Sequence, residues 1–484
     1  MPFAKDVQPD LQAMLQRVWG YSEFRPPQGE IIQTLLEGRD ALIVMPTGGG
    51  KSICFQLPAL VQSGLTLVVS PLVALMENQV QELRDRGLSH PVGVLHSQLP
   101  SHQRKQTLQR LEHHQLKLLY LSPETLLSPP VWQRLCAPDL AIVGLILDEA
   151  HCLVQWGETF RPAYYRLGAV RAGLLQHKPT DHRIAIAAFT ATADPQAQAT
   201  IAEILRLENP QRFSLNPYRA NLHLSVQTVW TAAQRRHQLL QFVRSHSPHS
   251  GLIYVRSRQD SETLAAWFRQ CGFTTCAYHA GLSSRDRRQI EQAWLTNQHQ
   301  FVVSTNAFGM GVNKPDLRWV AHFHAPHLLS EYVQEVGRAG RDGRPANSLT
   351  LVSEPTGWLD STDRQRQRFF QEHQQNQYRL AQTLMPRLPQ TGDLQGASPD
   401  QAIALSLLQS VNALEWVDPF HYQRLPLRGS LKHWGQSNLE AARDMTRFLY
   451  DRRCRWQYLL AAFGFAEDAA GWQCGHCDRC CRRR

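Results

Sequence analysis

A glycine-rich turn between a strand and a helix tolerates few surrounding folds, and Met45-Pro46-Thr47-Gly48-Gly49-Gly50-Lys51-Ser52 reads as such a turn. The apolar run 41–44 before it reads as a buried strand, and residues 53–60 after it can begin a helix. Glycines let backbone N–H groups close around phosphate oxygens, while the helix N-terminus adds partial positive charge. Thr47, Gly48, Gly49 and Gly50 would form the cradle, Lys51 would bring a mobile cation to the terminal phosphates, and Ser52 a hydroxyl ligand for Mg2+. Met45 stands where such loops usually carry glycine or alanine. A flexible surface loop is the alternative for so short a stretch, and the rest of the chain decides between the two.

Apolar runs recur at 65–69, 117–121, 140–147 and 184–189, separated by helix-length segments. Strands of that kind, buried on both faces, imply a parallel sheet with helices on each side. Polar or small residues follow each run, at the carboxyl ends of strands where open α/β sheets bind ligands. Among them, Asp148-Glu149-Ala150-His151 delivers two adjacent acids, which are costly to bury unless a cation or a proton compensates. Asp148 is assigned to Mg2+, Glu149 to polarising an attacking water as general base, and His151 to relaying between the two halves of the site. Trp156, Phe160, Tyr164 and Tyr165 then crowd around Arg161 in a segment broken by glycine and proline. They form either core anchors or a stacking surface for single-stranded bases. Their position directly after the acids favours a nucleic-acid sensor, with Gln155, Trp156, Phe160 and Arg161 as contacts.

After a crossing at 210–221 the pattern restarts, with apolar runs at 251–255, 275–278, 301–304, 319–323 and 348–352. This second sheet brings no cradle and no acidic pair, so it reads as a companion that completes its neighbour's site. Its strongest signal is Gln334-Glu335-Val336-Gly337-Arg338-Ala339-Gly340-Arg341-Asp342-Gly343. Arginines three residues apart are expected on one helix face. Arg341 is the expected finger towards a γ-phosphate and Arg338 a second phosphate contact, because a planar guanidinium stabilises charge that develops during transfer. Gln334 heads the same run and is counted with the catalytic candidates.

At 484 residues the chain exceeds one core, and about 150 residues per domain suggests about three. A formal net charge of +10 favours an anionic partner, nucleic acid first. No apolar run approaches ~18 residues, and the first ten residues carry acid and polar residues where a signal peptide would be apolar, which points to the cytoplasm and away from membranes. Cysteines in that compartment are not expected as disulfides. Cys454, Cys474, Cys477 and Cys480 instead have the spacing of a closed four-thiolate Zn2+ site, with Cys481 to spare.

Tyr21-Ser22-Glu23-Phe24-Arg25-Pro26-Pro27-Gln28, the cradle, Ser70-Pro71-Leu72, Asp148 to Cys152, Gln155-Trp156-Gly157, Thr190-Ala191-Thr192-Ala193, Phe308-Gly309-Met310-Gly311 and Gln334 to Gly343 together resemble the ordered motifs of RecQ-type DNA helicases. The resemblance implies an α/β fold, two RecA-like parallel-sheet domains in tandem followed by a small helical zinc-binding region. It implies ATP hydrolysis driving 3′→5′ movement on single-stranded DNA and the unwinding of tailed or forked duplexes, with ATP, Mg2+ and Zn2+ as cofactors. It also implies that Tyr21, Arg25 and Gln28 hold adenine. Pro27 stands where glycine is frequent in the family, and His324 where aspartate is usual. The expected domains are 1–215, 216–353, an insertion at 354–436 that is helical or winged-helix-like, and 437–484 for zinc. The insertion either touches DNA or braces the core, and the winged-helix and helical accessory domains of longer relatives are not expected here. Two other readings use the same residues: an RNA helicase, and a nucleotide-gated clamp or annealing protein.

Overall fold

The computed structural model describes residues 10–46, 48–154, 161–308, 314–394, 398–426 and 436–481. The chain divides into two compact units. The first comprises residues up to Ala191, Gln196–Leu215 and a span beginning at Leu380, while the second comprises Thr192–Pro195, Asn216–Arg379 and the residues after that span.

In the first unit the strands are β1 (Ala41–Val44), β2 (Leu65–Val69), β3 (Val92–Leu95), β4 (Leu118–Leu121), β5 (Ile142–Leu147), β6 (Ala185–Thr190) and β7 (Gln211–Ser214). They form one sheet in the order β3-β4-β2-β5-β6-β1-β7, and every pairing is parallel. Strands β1, β2 and β4 are buried along their whole length, so Leu, Ile and Val side chains on both faces drive the helices onto the sheet. At the amino end of β1, the Asp40 carboxylate accepts from Arg171 Nη1 at 2.9 and 2.8 Å, from Ile186 N at 2.8 Å and from Glu208 N at 2.7 Å. A buried charge that accepts four hydrogen bonds from three donors locks the end of the sheet opposite the cradle.

The second unit carries β8 (Leu222–Val229), β9 (Gly251–Tyr254), β10 (Thr275–Tyr278), β11 (Phe301–Ser304), β12 (Trp319–His322) and β13 (Ala346–Ser353). These make a second parallel sheet, ordered β10-β11-β9-β12-β13-β8. The carboxyl-terminal residues share its core: Phe448, Trp456, Leu459 and Cys477 pack with Leu222, Leu224, Tyr332 and Val336. The Trp456 indole donates to Leu222 O at 3.1 Å.

The span 354–436 does not form a unit of its own, because it divides at Leu380. Its first part runs into the helix Thr362–Leu384, which belongs to the second unit as far as Arg379. The next part, assigned to the first unit, holds β14 (Thr391–Asp393), a helix at Pro399–Ser410, β15 (Leu414–Trp416) and β16 (His421–Arg424). Its strands pair antiparallel in the order β14-β16-β15. Leu405, Leu408, Leu414, Trp416 and Tyr422 close a small core against Ala169. The turn between β15 and β16 is seated on the unit as well: Phe420 meets Trp132 edge-on at 5.3 Å, and Arg166 donates to Pro419 O at 3.2 Å. Helix and hairpin turn are thus both occupied by protein contacts, which is how an element that braces the core is built.

Candidate nucleotide and metal sites

The cradle follows β1 directly. Gly48 and Gly50 have φ of 86° and 78°, a region that favours glycine, and Gly50 caps the helix Lys51–Val61. Gln28 fastens the turn: its Nε2 donates to Gly49 O at 3.1 Å and Gly50 O at 3.4 Å, and its Oε1 accepts from Arg25 N at 2.9 Å. A Cβ on Gly50 would collide with that amide. Gln28 is buried, whereas Tyr21 and Arg25 on the preceding turn are exposed. Lys51 Nζ is buried and has no hydrogen-bond partner among the described residues. A buried ammonium without an acceptor fits a site made for phosphate oxygens.

Asp148 and Glu149 leave the carboxyl end of β5, which is separated from β1 by β6 alone. Burial pushes the Asp148 carboxyl up to about 6, with the Glu149 charge adding to the rise and Lys51 opposing it. A divalent cation would supply the missing compensation, so the residues present fit Mg2+. Glu149 sits in the left-handed region, φ 52° and ψ 47°, a conformation stored at sites where geometry is over-determined. Its N–H donates to Asp148 Oδ1 at 3.0 Å, and its Oε2 lies 3.3 Å from His151 Nδ1. His151 Nδ1 also lies 3.2 Å from Thr190 Oγ1 at the end of β6. Burial lowers the His151 pKa, but the neighbouring Cys152 and Glu149 reverse the sign and carry it up to about 10. The first unit therefore gathers Gly48, Gly49, Gly50, Lys51 and Gln28 into one feature, and Asp148, Glu149 and His151 into another. Thr47, Gln155, Trp156 and Phe160 lie outside the described residues, as do Gly309, Met310 and Gly311. Arg161 is half-buried, 3.8 Å from Glu124, and Tyr164 and Tyr165 after it are core residues.

In the second unit the helix Leu329–Val336 ends at Gly337, so Arg338 and Arg341 stand in the turns that follow and not on a helix face, which corrects the expectation. The cause is local. Gly340 has φ 62°, its N–H donates to Leu317 O at 2.8 Å, and the Asn221 side chain donates to Gly340 O and Arg344 O, both at 2.8 Å. Gln334 is half-buried on the helix itself. The buried Glu335 beside it, which the sequence reading passed over, accepts from Arg256 Nη1 and Nη2 at 2.9 and 2.8 Å and meets His322 Nε2 at 2.9 Å. Burial alone would raise that carboxyl, but Arg256 and His322 bring it down to about 2. This pair anchors the helix from which the two arginines depart. Arg256 lies two residues beyond the apolar β9, and nothing in the sequence connects it to Glu335 79 positions on.

The Sγ atoms of Cys454, Cys474, Cys477 and Cys480 all lie within 4.8 Å of one another. Measured pairs are 3.5 Å for Cys477 and Cys480 and 3.9 Å for both Cys454 with Cys477 and Cys474 with Cys480. Four thiolates at Zn–S bonds of about 2.3 Å stand about 3.8 Å apart, so the set fits tetrahedral Zn2+. Backbone N–H groups point at the sulfurs: Arg455 N to Cys477 at 3.4 Å, Cys474 N to Cys454 at 3.3 Å, and His476 N and Cys477 N to Cys474 at 3.4 and 3.3 Å. Such donors stabilise thiolates. Gly475, at φ 77°, makes the tight turn, and Cys481 remains exposed outside the set.

Residues 25–200 match the family model for DEAD/DEAH box helicases, 234–343 that for the helicase conserved C-terminal domain, and 428–481 that for RecQ zinc-binding. The chain is 53% identical over 477 residues to the ATP-dependent DNA helicase RecQ of Synechocystis sp., covering 97% of this chain and 98% of that one. It is 39% identical over 353 residues to the Haemophilus influenzae ATP-dependent DNA helicase RecQ, covering 72% of this chain but only 55% of the relative. In fold it is similar to Mycobacterium smegmatis helicase Lhr bound to ssDNA and AMP-PNP, with TM-score 0.57 and 19% identity over 91% of this chain and 62% of that one. It is likewise similar to Saccharomyces cerevisiae Dbp5 bound to RNA and ADP BeF3, with TM-score 0.57 and 16% identity over 73% of this chain and 89% of that one. The two sheets are thus RecA-like domains. Among the described residues no helix is long and apolar enough to cross a membrane.

Proposed function

Because this chain belongs to the RecQ family of ATP-dependent DNA helicases, we propose that ATP hydrolysis at the cradle drives it 3′→5′ along single-stranded DNA and opens duplexes during repair or recombination. The observation that carries the reading is the buried Lys51 ammonium, without a hydrogen-bond partner among the described residues, near a buried Asp148 whose carboxyl is pushed up to about 6. Lys51 offsets the Asp148 charge only in part, and phosphate oxygens and a cation would complete the balance.

Residues 1–215 hold the nucleotide in this reading, 216–353 supply the arginines, and 437–484 form the zinc region. Gly48, Gly49 and Gly50 present backbone N–H groups to the phosphates, Lys51 binds their terminal oxygens, and Tyr21, Arg25 and Gln28 hold adenine. Gln28 also holds the cradle's backbone, so base recognition and loop shape depend on one side chain. Ser52 and Asp148 would hold Mg2+, which would supply charge neutralisation at the phosphates. Glu149 accepts the proton of the water that attacks the γ-phosphorus, while the bond to the ADP oxygen breaks. His151 holds Glu149 and links it to Thr190. Arg341 neutralises charge on the transferring group, with Arg338 and Gln334 beside it. Gln155, Trp156, Phe160 and Arg161 are the DNA contacts that report strand occupancy to the acids.

Arg341→Ala is expected to leave binding of a fluorescent ATP analogue close to wild type and to lower turnover roughly a thousandfold. Normal turnover would remove Arg341 from the finger role. Polarity is tested by strand displacement on 3′-tailed, 5′-tailed and forked DNA with matched RNA duplexes. The expected result is opening of 3′-tailed and forked DNA. Opening of the 5′-tailed duplex alone would overturn the polarity, preference for RNA would overturn the substrate, and DNA-stimulated hydrolysis without any opening would leave a clamp.

A further inference from the structure

The second unit holds several large apolar side chains out in water, two of them, Trp358 and Leu359, on a turn built to keep them there. Trp358 is 86% exposed, Leu359 64%, Phe369 56% and Trp230 53%. Strands β8 and β13 run parallel with Val229 opposite Ser353, and Glu354 N donates to Val229 O at 3.0 Å. Trp230 and the turn after Ser353 therefore leave the same carboxyl edge of the sheet side by side.

That turn is fixed at both ends. The buried Glu354 carboxylate accepts from Thr356 N at 2.6 Å, from Leu359 N at 3.1 Å, and from Thr356 Oγ1 and Trp358 N. Asp360 is clamped by the buried Arg235, whose Nε and Nη2 donate to Asp360 Oδ2 at 3.1 and 2.9 Å. Both acids of the turn are thereby directed inward and consumed. Arginines of the helix that follows face solvent beside it. Arg364 lays its chain across Gly357, where an added Cβ would meet Arg364 Cδ at 3.2 Å, and its Nη1 donates to Thr356 O at 3.4 Å. Arg368 follows one helical turn later and is exposed, as is Arg258 after β9 on the same sheet edge.

Aromatic faces interleaved with arginines are the composition of a platform for single-stranded nucleic acid, where bases stack and guanidinium groups meet phosphates. An apolar protein partner would find Trp358 and Leu359 but would leave the arginines unanswered. We propose that Trp358, Trp230 and Arg364 form a DNA-stacking site at the β13–β8 end of this sheet, additional to the motifs of the helicase core. The proposal rests on the helicase reading for its ligand.

The test measures binding of labelled oligo-dT of increasing length to the full chain by fluorescence anisotropy across a salt series. Trp358→Ala is expected to weaken the longer oligonucleotides roughly tenfold and to spare the shortest, with Trp358→Phe restoring the loss. Arg364→Gln is expected to make the slope of log affinity against log salt shallower by roughly 0.7. Melting temperature verifies that each variant is folded, as exposure of these side chains predicts. Wild-type affinity of Trp358→Ala at every length overturns the site while leaving the helicase reading intact, and so does a loss that Trp358→Phe fails to restore. Unchanged DNA affinity with altered self-association in sedimentation would assign the face to protein and equally overturn it. A wild-type chain that binds no single-stranded DNA would instead defeat the helicase reading.

Discussion

Lys51→Ala is expected to lose ATP hydrolysis by three orders of magnitude or more, on the scale of removing a preorganised charge from a phosphoryl-transfer site. The same variant should fold as well as wild type. Lys51 Nζ is buried with no acceptor among the described residues, so truncation removes a desolvated charge from the nucleotide-free protein and breaks no hydrogen bond. The Asp148 carboxyl, which Lys51 pulls down against burial and Glu149, should rise further once that cation is gone. Phosphate release, ATP-analogue binding and a melting curve on one preparation separate these effects. Turnover within tenfold of wild type would sink the phosphate role, and a markedly lower melting temperature would show Lys51 to be a structural cation.

Much of this was readable from residues because burial on both faces leaves a plain mark. The runs that became β1, β2, β4, β5 and β6 are almost wholly apolar, and the acids, the cradle and the cysteines follow directly from their spacing. The edge strands β3, β7 and β8 left no such mark. Strand β7 buries only Phe213 and lies inside what reads as an inter-domain crossing, β3 is four residues with a glycine, and β8 alternates between buried and less buried positions. The turn that carries Arg338 and Arg341 could not be foreseen, since it depends on partners far away in sequence. Leu317 and Asn221 hold Gly340, and only the folded sheet brings them there.

The insertion shows a related limit. Its sequence offers a helix and a hairpin with an Asp418-Pro419 turn, a pattern equally able to read DNA or to pack on protein. What decides between them is what covers the surfaces. Arg206 Nη2 donates to Trp416 O at 2.7 Å and pairs with Glu415 at 3.1 Å, and Asn412 donates to Glu203 at 3.1 Å. The element packs on the stretch Pro162–Ala169, which directly follows Arg161 and the aromatic-rich residues before it. A brace there would fix the downstream end of the segment proposed to sense DNA.

Cys477→Ser is expected to lose the zinc that metal analysis should find at one ion per wild-type chain. Cys477 is fully buried and its sulfur accepts from Arg455 N, so the substitution removes a ligand and places an uncoordinated hydroxyl within a cluster of thiols. Structural zinc binding contributes on the order of 10 kcal/mol to folding, more than most domains have in reserve. The damage should spread, because the knuckle is tied into the second sheet's core. Asp478 accepts from Arg455 Nε and Nη2 at 2.9 and 3.0 Å, and the same guanidinium holds the helix Gln436–Tyr450 through Phe448 O and Leu449 O. Helicase turnover and a calorimetric transition of the second unit should therefore fall together in Cys477→Ser, and in wild type treated with a strong chelator. Cys481→Ser is the internal control: its thiol is exposed and outside the four-sulfur set, so zinc content and stability should match wild type. Loss of zinc from Cys481→Ser with retention in Cys477→Ser would transfer the fourth ligand to Cys481, whereas full zinc in both would place the ion elsewhere in the chain.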